Sequence, residues 1–230
     1  MLRACQRGFI MTVLSIDTSI PTLRVGVSNK KLLAMSVLTP PVTHAEAILP
    51  AVEQALQEAG ITIKYVELLA VAGGPGSFTG LRIGIATAKG LSLGLGIPIV
   101  LVPTLDIYGW AWKELEGIVV PVIDARKHRV YCASYYRGQR IGNWMDIELA
   151  QLIQKIHGED KVHFVGPDAE LAETICLERE GWILHKPDPE KEMESLSFLG
   201  INTYIEKGSA SDTAGPIYLR EPEIGTPIAR

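Results

Sequence analysis

Between Leu68 and Pro98 the chain reads LLAVAGGPGSFTGLRIGIATAKGLSLGLGIP, and this stretch restricts the possible fold more than any other. An apolar run suited to a strand, Leu68 to Ala72, breaks at Gly73-Gly74-Pro75-Gly76. A proline-free run from Thr79 to Leu95 follows, and Gly96 and Pro98 stop it. Strand, glycine turn and helix in succession are the unit of an α/β layout. The helix is unusual in its interior. Gly80, Gly84 and Ala88 recur every four residues, with Ala86, Gly90 and Gly94 as a second row beside them. Each interior glycine costs about 1 kcal/mol relative to alanine. Small side chains offset that cost when another backbone comes close. The spacing predicts a helix pressed hard against a neighbour.

The turn before that helix has two readings. Free N–H groups and the helix dipole make a glycine turn at a helix start a cradle for phosphate. A P-loop needs Gly-Lys-Ser/Thr after the turn, and Gly76-Ser77-Phe78 stands there instead. The GxGxxG fingerprint fails too, because Thr79 occupies the position of its third glycine. A structural turn is favoured over a nucleotide loop.

At 230 residues the chain has length for one large domain or two lobes with ample core. A net charge of −4 argues against an autonomous nucleic-acid binder. The three cysteines, Cys5, Cys132 and Cys176, form no CxxC and are odd in number, which suits a reducing, cytoplasmic setting without a structural metal. No apolar run reaches the length of a membrane span. Residues 1–10 hold two arginines but no apolar core of a signal peptide, and are expected to be a frayed extension.

In chain order, strands are expected at Thr12–Ile16, Leu23–Ser28 and Leu32–Leu38, a meander with Asn29-Lys30-Lys31 as a hairpin loop. Thr43-His44-Ala45-Glu46 is a capping box that should open a helix. Ile48, Val52, Leu56 and Ala59 share one face of it, Pro50 should kink it, and Gly60 ends it. Ile99–Val102 follows the glycine helix as a buried strand. The order βββαβαβ makes a mixed five-stranded sheet with helices on its faces, the pattern of the actin-like, or ribonuclease H-like, ATPase fold. A first lobe is placed at 11–103 and a reduced second lobe at 104–230. In the second lobe a helix is expected from Thr104 to Glu116, then strands at Ile118–Ile123, Arg129–Tyr136 and Arg140–Met145. Helical stretches near Ile147–Ile156 and Asp168–Arg179 flank a strand at Val162–Val165. A last helix near 195–207 is expected to pack back on the first lobe.

Several of these residues are familiar together. Asp17-Thr18-Ser19, His44-Ala45-Glu46 with Leu49-Pro50, GGPGSFTGLRIGIATAKGL, Asp124-Ala125-Arg126 with Val130-Tyr131, and Pro216-Ile217-Tyr218-Leu219-Arg220 closely resemble the bacterial TsaB (YeaZ) family. The resemblance runs from Met11 to Arg220 and is weakest from Gly138 to Ser195. It implies a non-catalytic member of the actin-like fold, an inactive glycoprotease homologue in older descriptions. Such proteins are required for N6-threonylcarbamoyladenosine formation beside the anticodon of ANN-reading tRNAs. They act through a TsaD-type threonylcarbamoyl transferase and the TsaE-type ATPase, meeting tRNA only through that complex. No cofactor is implied beyond weak ATP or ADP binding.

An ATPase or a peptidase is the rival class. A metal site on the first long helix would need a second histidine four residues after His44, where Ile48 stands. His128, His157, His163 and His185 show no ligand spacing, and no Gly-x-Ser-x-Gly elbow surrounds Ser77. No catalytic set and no metal ligand is assigned. Asp17, Thr18 and Ser19 form either an ordinary Asx turn or a vestigial nucleotide loop, with Asp124 as its only acidic counterpart. The run Arg126-Lys127-His128-Arg129 is a solvated hairpin or a basic patch near a shared tRNA site. The interface for the partner, and for a homodimer when the chain is alone, is assigned to Gly80, Leu81, Gly84, Ile85 and Ala88, with Leu49, Val52 and Leu56 on the first long helix. The alternative is that the glycine stripe packs only on this chain's own sheet.

Overall fold

The computed structural model describes residues 11–220 except 157 and 159. The expected extension at 1–10 and His157 therefore lie outside the described residues, as does the tail beyond Arg220. Two five-stranded sheets with one topology organise the chain. In the first, β1 (Val13–Asp17), β2 (Leu23–Asn29) and β3 (Lys31–Leu38) form the antiparallel meander, with β4 (Leu68–Ala72) and β5 (Ile99–Val102) added parallel beside β1. In the second, β6 (Ile118–Asp124), β7 (Arg129–Tyr136) and β8 (Gln139–Glu148) repeat the meander, with β9 (Val162–Val165) and β10 (Trp182–Leu184) parallel beside β6. The orders β3-β2-β1-β4-β5 and β8-β7-β6-β9-β10 are the same order twice. The three-residue β10 completes the copy.

Both faces of the first sheet are covered, so β1 and β4 are buried at every residue, and β4 reads as an unbroken apolar run rather than an alternating one. Leu14, Ile16, Leu69 and Val71 face α1 (His44–Glu58) and α2 (Phe78–Leu95). Val13, Leu68 and Ala70 face α6 (Pro189–Lys207), whose Met193 and Leu196 fill that side. A side chain at Gly200 would stand 2.6 Å from the Ala70 Cβ, so α6 lies close on β4. Between the sheets runs α3 (Thr104–Ala111), with Ile107 in the first lobe's core and Leu105 and Tyr108 in the second's. The second sheet's other face carries α4 (Leu149–Ile156) and α5 (Glu173–Glu178) over Val120, Val122 and Phe164. No helix among the described residues is long and apolar enough to cross a membrane.

Several expectations are corrected here. Helix α1 begins after Thr43 as expected, but the box closes between side chains: the Thr43 hydroxyl donates to a Glu46 carboxylate oxygen at 2.5 Å, and no side-chain cap reaches the backbone. Helix α3 stops at Ala111 instead of Glu116. Trp110 stacks on Phe198 of α6 at 4.8 Å, and Trp112, just past the helix, meets His185 at 4.7 Å with Lys191 of α6 over its ring at 4.5 Å. Ile147 and Glu148 belong to β8 rather than to α4. The stretch after Asp168 is a 3-10 turn at Ala169–Ala172 followed by α5. Helix α6 begins at Pro189 instead of near 195, because Asp188 caps it by accepting the Lys191 N–H at 3.2 Å and proline suits the first helical position.

Candidate functional site

The loop after β1 and the turn before α2 close on each other. Asp17 accepts the Ser19 backbone N–H at 2.9 Å and the Ser19 hydroxyl at 2.6 Å through one carboxylate oxygen, an Asx turn buried with Thr18 and Ser19. The Ser77 N–H donates to the Ser19 carbonyl at 2.7 Å. A side chain at Gly76 would stand 2.3 Å from that carbonyl, and one at Gly80 would stand 2.0 Å from the Thr18 carbonyl. These glycines are needed because backbone lies against backbone at this point. Ser77 caps α2, its hydroxyl accepting the Gly80 N–H at 3.2 Å.

In the other lobe, Asp124 folds onto its own turn. It accepts the Arg126 N–H at 2.7 Å, and its second oxygen pairs with the Arg126 guanidinium at 3.2 Å. The Asp124 N–H donates to Asp168 at 2.8 Å, whose carboxyl burial pushes up. Thus both acidic loops spend carboxylate oxygens on their own turns. His44 places Nε2 3.1 Å from the Pro21 carbonyl. His163 and His185, unrelated by any sequence spacing, meet at 2.9 Å, and His163 reaches the Glu116 carbonyl at 3.0 Å. Burial lowers the His185 pKa. Among the described residues no group of three or more His, Cys, Asp or Glu is placed to hold a metal.

The α2 stripe assigned to an interface is buried within this chain. Gly80, Leu81, Gly84, Ile85 and Ala88 are all buried, with the Gly84 Cβ position 2.1 Å from the Thr18 hydroxyl. That face of α2 packs on this chain's own β1 loop and sheet. The second glycine row is on another face. Gly90 lies six residues past Gly84, about 240° round a helix of 3.6 residues per turn. At Gly90 and Gly94 an added Cβ meets nothing within 4 Å. Together with Leu91 and Leu95 they face Leu49, Val52 and Leu56 of α1 across an open apolar groove of about 710 Å³. Leu49 is 51% exposed and Leu95, also in the groove, 46%. The α1 residues assigned from sequence line this groove; those of α2 do not. Leu91, Gly90 and Gly94 could have been found by plotting the two rows on a helical wheel.

Fold and site together define a two-lobed actin-like protein whose interlobe acidic loops are tied to their own turns and whose first lobe offers an apolar helix-pair groove. Residues 40–215 match the family model described as TsaD: tRNA N6-adenosine threonylcarbamoyltransferase. The chain is 31% identical to the tRNA threonylcarbamoyladenosine biosynthesis protein TsaB of Bacillus subtilis (strain 168) over 228 residues, 93% of this chain and 96% of that relative. It is 26% identical, with a TM-score of 0.74, to a crystal structure of an uncharacterized protein with similarity to peptidase YEAZ from Pseudomonas aeruginosa, over 92% of this chain and 100% of that one. An inorganic polyphosphate/ATP-glucomannokinase from Arthrobacter sp. strain KM shares the fold alone, at 14% identity and a TM-score of 0.51, over 84% of this chain and 99% of that one. The chain belongs to the TsaB (YeaZ) family.

Proposed function

We propose that this chain is a non-catalytic subunit for N6-threonylcarbamoyladenosine formation on tRNA, which binds and activates a TsaD-type transferase through the α1–α2 groove. The observation that carries it is the pair Gly90 and Gly94. Each costs the helix about 1 kcal/mol relative to alanine, and among the described residues nothing lies within 4 Å of a side chain begun at either. An incoming helix supplies the missing reason, since small residues let it seat closely. The apolar floor and the exposed leucines at the rim suit such a contact.

Because the chain matches the transferase's own family model, the two proteins share this fold. Equivalent helix pairs can therefore meet face to face. A second copy of this chain can use the same face, so the free chain pairs with itself until the transferase arrives. The TsaE-type ATPase joins that complex, and tRNA is met within it, in the cytoplasm. The non-catalytic reading draws support from Ser77 and Asp17, whose side chains are spent on capping and turn formation. The rival reading, a weak ATPase or a peptidase-like enzyme, lacks such an observation.

The test is Gly90→Leu with Gly94→Leu. Each side chain has open space within this chain, so the melting temperature should hold or rise. Binding to the transferase should weaken at least ~100-fold, about 2.7 kcal/mol, with modified nucleoside lost from the reconstituted system. Parental affinity in a folded variant would refute the groove.

A second expectation concerns nucleotide. Calorimetry on the isolated chain should find ATP and ADP binding weak and dependent on Asp17. Micromolar binding, about −8 kcal/mol, that survives Asp17→Ala would show the site to be elsewhere.

A further inference from the structure

After α6 the chain runs from Gly208 to Arg220 without helix or strand, yet polar contacts hold it along its length. The Ala210 N–H donates to the Ile99 carbonyl of β5 at 2.7 Å, and the Ser209 hydroxyl accepts the Ile99 N–H at 3.2 Å. The Lys89 ammonium of α2 donates to the Asp212 and Ala214 carbonyls at 2.6 and 2.5 Å. The Ile217 N–H donates to the Gly73 carbonyl at 2.7 Å. Tyr218 packs on Phe78 with ring centroids 5.1 Å apart, and its hydroxyl accepts the Arg82 Nε–H at 3.0 Å. These partners all belong to the first lobe. Arg220 reaches the second. Its guanidinium meets both Asp146 oxygens on β8 at 2.9 and 3.1 Å and donates to the Ala125 carbonyl at 3.2 Å.

The turn that receives Ile217 is also where the chain first leaves the first lobe. The Gly74 carbonyl accepts the Thr104 N–H at 2.8 Å, and the Gly74 N–H donates to the Thr104 hydroxyl at 3.0 Å. Thr104 opens α3, which enters the second lobe's core through Leu105 and Tyr108. Gly74 has φ of 103°, and a side chain there would stand 2.5 Å from the Ile217 carbonyl. Glycine lets the two backbones touch. Both crossings between lobes, at Thr104 and at Ile217, thus rest on one turn. Arg220 grips the second lobe about 10 Å of extended chain further on. That grip is partly shielded, with the Asp146 side chain 10% exposed and that of Arg220 27%. Burial opposes the Asp146 charge, but the Arg220 and Arg129 guanidinium groups hold its carboxyl below the usual range. A forked arginine–carboxylate contact fixes direction as well as distance.

We infer that residues 209–220 are a strap that sets the angle between the two lobes, with Gly73–Gly74 as its pivot and Arg220–Asp146 as its clasp. A hinge needs only a few residues to absorb the change in backbone angles, and the Gly-Gly turn supplies them. With the clasp closed, the turn is tied on both sides and the lobes keep one angle. With the clasp open, the second lobe turns about α3. Arg129 of β7 holds an Asp146 oxygen at 2.7 Å independently of Arg220, so the second sheet stays intact when the clasp opens. None of the strap's partners lines the α1–α2 groove, so the strap stands apart from the groove reading.

The test is single-molecule energy transfer in the full chain. Dyes are placed on Lys31→Cys in the first lobe and Thr174→Cys in the second, both exposed positions, with Cys5 and Cys176 replaced by serine. Picomolar dilution keeps copies apart. The parent should give one narrow distance. Arg220→Ala should shift or broaden it by several ångströms, the scale of a domain rearrangement. Arg220→Lys keeps the charge but loses the fork, and should fall between the two. Amide exchange over 212–220 should quicken ~10-fold in Arg220→Ala while β4 and β9 keep their protection. An unchanged distance, whether or not exchange quickens, would make the segment a passive tail and overturn the inference. So would loss of protection in β9, because Arg129 would then have failed to keep the second lobe folded. The groove reading fails separately, through Gly90→Leu.

Discussion

Arg24→Ala should lower stability by about 3–5 kcal/mol, a fall in melting temperature on the order of 10 °C for a chain of this size. Arg24 stands on β2 opposite Asp17, and its guanidinium pairs with Glu192 of α6. Arg24 is 4% exposed and Glu192 1%. The second Glu192 oxygen accepts the Asp188 N–H at 3.2 Å, so the carboxylate is held from two sides. This pair ties the helix that closes one face of the first sheet to that sheet. Removing the cation strands a buried carboxylate, which is costlier than the pair was worth.

The loss should depend on pH in a definite direction. Burial pushes the Glu192 carboxyl up to about 7 even against the pull of Arg24. Without Arg24 it must rise further, so the folded variant holds its proton more tightly than the unfolded chain does. Acidification through that raised pKa restores stability, and alkaline conditions show the full deficit. The double replacement Arg24→Met with Glu192→Met should recover most of the loss. Denaturant melts of the single and double variants at pH 5 and pH 8 decide the matter. A loss below ~1 kcal/mol, or one indifferent to pH, would mean the pair is not the tie described here.

Two alanines in one helix should act with opposite sign. Gly80→Ala places a methyl 2.0 Å from the Thr18 carbonyl, and a carbonyl fixed in a buried turn cannot swing aside as a flexible side chain can. Overpacking typically costs ~1–3 kcal/mol, and a backbone obstacle belongs at the upper end. Gly90→Ala meets nothing within 4 Å and should gain about 1 kcal/mol from helix propensity. A difference of about 4 kcal/mol between two like substitutions ten residues apart is well within the reach of chemical denaturation. Equal effects would show that the two glycine rows do not face different surroundings. Gly84→Leu is expected to behave like Gly80→Ala, because its Cβ position falls 2.1 Å from the Thr18 hydroxyl.

Much of the architecture follows from the residues alone. The strands at Leu68–Ala72, Ile99–Val102, Arg129–Tyr136 and Val162–Val165 begin and end where the sequence places them. Three meandering strands followed by alternating units were enough to fix the actin-like order. The glycine motif on α2 was enough to point to the family. What escaped was short or shared between two elements. Trp182–Leu184 is too brief for a periodic signal, and only its parallel seat beside β9 makes it a strand. The end of α3 falls where its rings meet Phe198 and His185, neither of them near in sequence.

The candidate site shows the same boundary most clearly. Periodicity states which residues of a helix share a face, and it found both small-residue rows of α2. It cannot state what covers each face, because Gly80 and Gly90 cost a helix the same whatever lies beyond them. The carbonyl and hydroxyl of Thr18, brought across by the pairing of β1 with β4, take the first row into the chain's own core. They leave the second row facing the groove with α1, where no described residue covers it. Which glycines are buried by the fold and which stay open was therefore decided only when distant backbone arrived against one of the two faces.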